Sequence, residues 1–316
     1  MTPRPLGRSG LDVSPLCFGG NVFGWTADEA TSHALLDRFV EAGFNFVDSA
    51  NVYSRWVPGH QGGESESVIG RWFKAGGKRD RVVLATKVGM DMPGLGPGLT
   101  RARIERSVED SLRRLQTDRI DLFYAHQDDP TTPLEETLGA FDRLVKAGKV
   151  RALGASNYSG ARLAEAIGVS EREGLARYEC LQPEYNLMER EPFESELAPV
   201  CARHGLGVAS YYSLASGFLS GKYRRPEDAE GRTRGGRVQK YFNARGWRVV
   251  EALVQVAQRL HSTPATVAIA WTIAQPTMTS AIASATSVEQ LDALLKATEL
   301  KLDRQSLDEL DAASAP

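Results

Sequence analysis

Short apolar or β-branched runs alternate along this chain with longer stretches whose apolar residues recur every three or four positions. The short runs predict strands over residues 16–20, 45–49, 82–87, 121–126, 151–156, 178–182, 207–211 and 279–283. The longer stretches predict helices over 28–42, 64–74, 101–115, 134–147, 162–167, 193–204, 248–261 and 288–297. Eight strand–helix repeats in a row predict parallel strands with helical crossovers, and eight is the number that closes a (β/α)8 TIM barrel. Three segments fall outside the repeat. Residues 4–15 carry the turn signal GRSG between two short extended runs, which predicts an N-terminal β-hairpin plugging the barrel's bottom. Residues 264–275 form an extra helix, with Pro264 in its first turn, and another helix closes the chain near 303–313.

No shift of composition and no Ser/Pro-rich linker divides the sequence, so residues 1–316 read as a single domain. The one irregular stretch is 222–248. It holds nine Lys/Arg against three Asp/Glu, together with Gly231, Gly235 and Gly236. A long loop at the C-terminal end of a barrel strand is a functional position, and its basicity suits a ligand bearing phosphate.

Charge changes the picture only by exclusion. The 38 basic and 40 acidic residues give a net charge of −2, which offers no global attraction to nucleic acid or an anionic membrane. No apolar run approaches the ~20 residues needed to span a bilayer. The opening MTPRPLGRSGLDV lacks the apolar stretch of a signal peptide, and Cys17, Cys180 and Cys201 show no CxxC spacing. A reducing, cytoplasmic setting is therefore expected. No GxGxxG follows a strand, and GFLSGK (217–222) has three residues between its glycines where a P-loop needs four. HExxH, GxSxG and paired Cys/His spacings are absent, so metal chemistry is not expected.

In such a barrel the C-terminal strand ends carry the chemistry. Asp48, Lys87 and His126 stand at the ends of the second, third and fourth strands, Ser156 and Asn157 at the fifth, and Gln182 at the sixth. Tyr53 lies five residues past Asp48, near enough to fold back over the same mouth. A lysine ending an apolar strand needs a partner, and Asp48 is one strand away. Free tyrosine has a pKa of about 10, poorly matched to proton transfer at neutral pH, and a nearby ammonium stabilises its phenolate. Asp, Tyr, Lys and His together make a proton donor that needs no metal.

Over essentially its whole length the sequence resembles the aldo-keto reductases. The resemblance rests on FGGNVFGW (18–25), VDSANVY (47–53), GGESESVIGRW (62–72), ATKVG (85–89), DLFYAHQDD (121–129), KAGKVRALGASNY (146–158), LQPEYN (181–186) and SGFLSGKY (216–223). It implies a (β/α)8 barrel that reduces aldehydes or ketones with NADPH. Tyr53 would protonate the carbonyl oxygen, Lys87 and Asp48 would tune it, and His126 would orient the substrate. The resemblance further implies that Ser156, Asn157 and Gln182 hold the carboxamide of the nicotinamide and that Tyr211 stacks on its ring. Gly20, Asn21 and Asp48 would lie near the nicotinamide ribose. Ser213, Leu214, Gly217, Leu219, Gly221 and Lys222 would wrap the pyrophosphate, and Ser284, Thr286, Gln290 and Leu294 would meet the adenosine end.

The sequence departs from the family pattern at four places, one of them Ala283-Ser284, where a Pro-Gly pair is common. Tyr212 stands where a pyrophosphate-binding serine is common, Thr286 where an arginine often reads the 2′-phosphate, and Leu294 where asparagine is frequent. NADPH is the expected cofactor, with NADH the alternative. Phe23, Trp25 and Trp56, with Tyr53 and His126, predict an aromatic-lined entry for uncharged small-molecule carbonyl substrates. The sequence reaches its first barrel strand within about fifteen residues and stops soon after the last helix. That is the expectation of an enzyme with a broad substrate range. The resemblance also takes in channel-associated β subunits, which keep barrel and cofactor but act through a partner.

Overall fold

The computed structural model describes residues 2–315. Eight parallel strands close a barrel in chain order: β3 (Leu16–Gly19), β4 (Phe46–Asp48), β5 (Val83–Val88), β6 (Ile120–Ala125), β7 (Val150–Ser156), β8 (Tyr178–Gln182), β9 (Gly207–Ser210) and β10 (Ser280–Ala283), with β10 pairing back onto β3. Nearly every residue in these strands is buried, which is why they read as continuous apolar runs rather than as alternation. One set of side chains faces inward. Cys17, Phe46, Ala85, Leu122, Tyr124, Cys180, Ala209 and Ile282 fill the lumen, so the barrel is a packed core and not a pore. The other set packs against the surrounding helices.

The predicted hairpin is present as β1 (Arg4–Pro5) and β2 (Asp12–Val13), paired antiparallel. Its Leu6, Leu11 and Val13 join the lumen cluster, so the plug and the barrel interior share one core. Gly7 sits in the left-handed region (φ +58°), where a Cβ would come within 2.3 Å of the Glu179 carbonyl oxygen and 2.7 Å of Gly207 N. The turn is pressed onto the N-terminal ends of β8 and β9. That leaves the opposite end open for chemistry.

Helices α1 (Glu29–Glu41), α2 (Glu64–Lys74), α3 (Arg101–Leu115), α4 (Leu134–Lys146), α5 (Gly160–Glu173), α6 (Ala198–His204), α7 (Gly235–Val238), α8 (Ala244–Arg259), α9 (Pro264–Ala274), α10 (Val288–Leu295) and α11 (Arg304–Ser314) surround the sheet. Three depart from expectation at their ends. The helix expected over 162–167 runs from Gly160 to Glu173, because Ser159 Oγ accepts from Arg162 N and Gly174 closes the far end at φ +64°. The helix expected from 248 starts at Ala244, because Asn243 Oδ1 accepts from Gly246 N at 2.9 Å. The helix expected over 193–204 opens with a π-turn at Phe193–Leu197 before α6. The basic stretch 222–248 is not without structure: it holds a 3-10 turn at Pro226–Ala229, then α7 and another turn at Gln239–Tyr241.

Candidate active site

Asp48 ends β4 and pairs in register with Ala85 of β5, so Lys87, two residues further along β5, extends beyond it on the same face. Lys87 Nζ donates to Asp48 Oδ2 at 2.6 Å, to the Ser49 carbonyl at 2.6 Å and to Tyr53 Oη at 3.0 Å. Lys87 is 0% exposed and Asp48 1%. A buried ammonium is tolerable here because all three of its N–H bonds are taken. The loop after β4 brings Tyr53 back over this pair. Tyr53 N donates to Ala50 O (3.1 Å), and Ser54, at φ 71°, anchors its Oγ on Phe23 O (2.9 Å). The Tyr53 phenol donates to Asp48 Oδ2 at 3.1 Å.

Burial, then the Asp48 charge and hydrogen bond, hold the Tyr53 phenol well above its usual pKa. The sequence alone predicts a stabilised phenolate. The net shift is the opposite: burial and then Asp48 raise it, and the phenol keeps its proton. Burial pushes the Lys87 ammonium down from its usual value, and Asp48 pulls it partly back. His126 follows β6 directly and its ring lies 6.1 Å from that of Tyr53. Burial and then the Lys87 charge hold it well below the usual histidine pKa, so the imidazole is neutral. Its Nδ1 is buried without a partner. An unpaired lone pair is tolerated more readily than an unpaired N–H, which puts the proton on Nε2. That tautomer can donate to a carbonyl oxygen.

Trp56 lies 6.1 Å from Tyr53 and 5.4 Å from Trp25, both edge-on, and is 44% exposed. These two indoles border the mouth. Phe23 does not: it is fully buried and stacks on Phe18, a core position rather than the expected substrate contact. Its spacing from Trp25 could not reveal this, because the turn Gly20–Val22 rotates it inward.

Across the mouth, β7 and β8 bring Ser156 and Gln182 into register. Ser156 Oγ donates to the Gln182 carbonyl (2.8 Å). Asn157, in the left-handed region at φ 56°, donates to His126 O (2.8 Å) and accepts from Tyr211 Oη (2.8 Å). Tyr211 follows β9, and Tyr212 meets its ring edge-on at 5.0 Å. Ser213 faces inward instead and donates to Ile282 O (2.9 Å). Leu219 and Leu294 are buried in the core, while Leu214 packs partly against it.

The segment after β9 turns through three consecutive residues with positive φ, Ala215 (47°), Ser216 (58°) and Gly217 (97°). Within it Ala215 N donates to the Tyr212 carbonyl (2.6 Å) and Gly217 N to the Leu214 carbonyl (2.8 Å). At Gly217 a Cβ would come within 3.1 Å of Lys222 Nζ, so glycine keeps that cation close to the turn. Lys222, Arg232 and Arg234 form no ion pair among the described residues. Burial, then Arg232 and Arg234, lower the Lys222 pKa. Ser284 Oγ donates to Gly19 O (2.7 Å), so its lone pair takes the Asn21 amide N–H at 2.6 Å. The Asn21 oxygen then accepts from Arg234 Nη2 at 3.2 Å. Arg234 also lies 5.8 Å from the Trp25 ring. Thr286 and Gln290 bond to each other at the start of α10 (Oγ1 to Oε1, 3.1 Å). A cluster of three cations beside this turn, Lys222, Arg232 and Arg234, fits a phosphate-bearing dinucleotide.

Sequence reasoning missed two features. Arg234 was visible only as one charge among nine. Glu66, 0% exposed, accepts from Thr86 Oγ1 (2.6 Å) and Arg114 Nε (2.7 Å) behind Lys87; a carboxylate on the buried face of an amphipathic helix was its only signal.

Compared with known proteins, residues 15–315 match the Aldo/keto reductase family. The chain is 39% identical to an uncharacterized oxidoreductase, YrpG, of Bacillus subtilis, over 96% of this chain and 92% of that one. It is 33% identical to a probable voltage-gated potassium channel subunit beta of Arabidopsis thaliana, over 95% and 92%. It is also 33% identical to norsolorinic acid reductase of Aspergillus flavus, over 96% and 79%.

Proposed function

Because the chain belongs to the aldo/keto reductase family, we propose that it reduces aldehydes or ketones to alcohols, with NADPH preferred and NADH the alternative. The observation that carries this reading is the buried Asp48–Lys87 pair with a half-buried Tyr53 bonded to both, and a neutral His126 beside them. A bound reduced nicotinamide supplies the hydride. The residues supply the rest. His126 Nε2–H orients the carbonyl oxygen towards Tyr53, whose phenol turns from Asp48 to give up its proton. Lys87, already donating to the phenol oxygen, stabilises the phenolate left behind, and Asp48 keeps the ammonium in place. Ser156, Asn157, Gln182 and Tyr211 would hold the nicotinamide, and Lys222, Arg232 and Arg234 the phosphates. Trp25 and Trp56 favour uncharged, flat carbonyl compounds at the mouth.

A panel of aliphatic and aromatic aldehydes and ketones, assayed with each cofactor by loss of reduced-nicotinamide absorbance, tests the reading. Turnover with several carbonyls, faster with NADPH, is expected. A second reading is a cofactor-binding subunit of a larger assembly, favoured by the channel-subunit relatives. It would gain if the protein bound NADPH tightly and reduced none of the panel.

A further inference from the structure

Gln182 ends β8 and Asp48 ends β4, four strands apart and so on opposite sides of the eight-stranded barrel. Side chains from alternate strands fill a common layer in such a barrel, and this parity lets the two meet across the axis. Gln182 Nε2 donates to Asp48 Oδ1 at 2.9 Å, with both residues buried. An ionised carboxylate can only accept, so the amide nitrogen must be the atom that faces it. Asp48 thus takes one donor on Oδ1, Gln182, and two on Oδ2, Lys87 and Tyr53.

We infer that Gln182 is a positioning residue for the proton donor, a strut across the barrel that fixes the rotation of the Asp48 carboxylate. Three donors on two oxygens leave that carboxylate one orientation, with Oδ2 towards Lys87 and Tyr53. Without the strut, Oδ1 is a buried anionic oxygen lacking a partner. It competes with Oδ2 for Lys87 and Tyr53, and the phenol loses its fixed geometry. The main-chain carbonyl of Gln182 is itself held by Ser156 Oγ, so the strut starts from a fixed point. This role is separate from any contact Gln182 makes to a cofactor, and it rests on the reading of Tyr53 as the acid.

A double-mutant cycle of Gln182→Met with Asp48→Asn tests it by two readouts. In single-turnover hydride transfer, Gln182→Met should slow the Asp48 enzyme by about tenfold or more, the scale of a lost hydrogen bond to a charged group. In the Asp48→Asn background the same change should cost at least about threefold less than it does with Asp48 present, because any loss of nicotinamide contact is common to both backgrounds and cancels in the cycle. The second readout needs neither cofactor nor activity. In protein labelled with 13C at tyrosine Cζ, the Tyr53 resonance, assigned through Tyr53→Phe, should move on Gln182→Met at neutral pH. It should not move when Asp48 is already Asn. Gln182→Asn, one methylene too short to bridge, should behave as Gln182→Met and serves if the latter does not fold. Equal effects of Gln182→Met in both backgrounds, in either readout, would overturn the inference. If the wild-type protein reduces no carbonyl, the functional reading fails, and the resonance still decides whether Gln182 acts through Asp48.

Discussion

Tyr53 carries the only proton that the proposed chemistry delivers from a side chain. Tyr53→Phe keeps the ring against Trp56 and His126 and removes that proton. Single-turnover reduction should fall by about 10² or more, with NADPH affinity unchanged. A Tyr53→Phe protein that turns over at the wild-type rate in stopped flow would remove the tyrosine from its role. Lys87→Met strands Asp48 as a buried, under-partnered charge, a change costing about 3–5 kcal/mol, and should lower the urea midpoint as well as the rate. His126 gives a prediction with a sign. Its folded-state pKa lies below its unfolded value of 6.5, so between the two the unfolded chain binds more protons. Its contribution to stability is complete above pH 6.5 and is lost as pH falls towards the folded value. The slope from this one group is at most about 1.4 kcal/mol per pH unit. Replacing His126 with Gln should flatten the stability–pH curve between about pH 6.5 and 5; equal slopes would show that the ring is not held neutral by the fold. Position along the chain was enough to nominate Asp48, Tyr53, Lys87 and His126, because strand ends in a barrel point to one place. It could not reveal that Phe23 turns inward, or that burial and Asp48 hold the Tyr53 pKa up. Those depend on ångström distances between residues far apart in sequence.

At the scale of elements, the alternation of strand and helix patterns was legible because barrel strands are buried on both faces and the helices on one. Their boundaries were less so. Helix α5 extends six residues beyond the C-terminal end predicted at Ile167 because its outer face is polar there, and periodicity fades on a solvated face while the helix runs on to Gly174. The Asn243 cap could be recognised only once 244–248 were seen to be helical. Close contact between elements was also hidden. Gly70 lies inside α2, where alanine would ordinarily be the better helix former by about 1 kcal/mol. Here its missing Cβ matters more. A Cβ would stand 2.1 Å from the Arg114 carbonyl and 2.8 Å from the Leu115 carbonyl carbon, at the C-terminal end of α3. Glu66, one turn earlier on α2, ties the same junction through Arg114. Gly70→Ala should therefore destabilise by about 1–3 kcal/mol in urea unfolding, by overpacking. A variant more stable than wild type would mean that α2 and α3 can part at this point without loss.

The whole molecule divides its labour between a closed and an open end. The hairpin and the lumen side chains seal the N-terminal end, so the acidic and basic groups of the proposed chemistry gather at the other. The loop from Lys222 to Asn243 lies over that end, reaching Asn21 through Arg234 and Tyr212 through Arg237 (Nη1 to Oη, 2.8 Å). Its basic composition was plain in the sequence; which of its cations stand together was not, since local charge counts carry no geometry. Lys222, Arg232 and Arg234 repel one another and pair with no carboxylate among the described residues, and this repulsion adds to burial in lowering the Lys222 pKa. A phosphate placed among them would relieve that repulsion. NADPH should therefore raise the melting temperature and slow proteolysis within this loop, and its affinity should fall as salt screens the cluster. The fall should be shallower for NADH, which lacks the 2′-phosphate. Arg232 separates the cluster's effect on binding from its effect on folding, because its side chain is exposed. Arg232→Gln should leave stability within about 0.5 kcal/mol. The same change should weaken NADPH about tenfold and NADH less, the scale of one charge-assisted contact. Titration by quenching of intrinsic fluorescence, at two salt concentrations, measures both. An Arg232→Gln protein that binds the two cofactors as the wild type does, with the same salt dependence, would mean that the cations of this loop face solvent and that phosphate is held elsewhere.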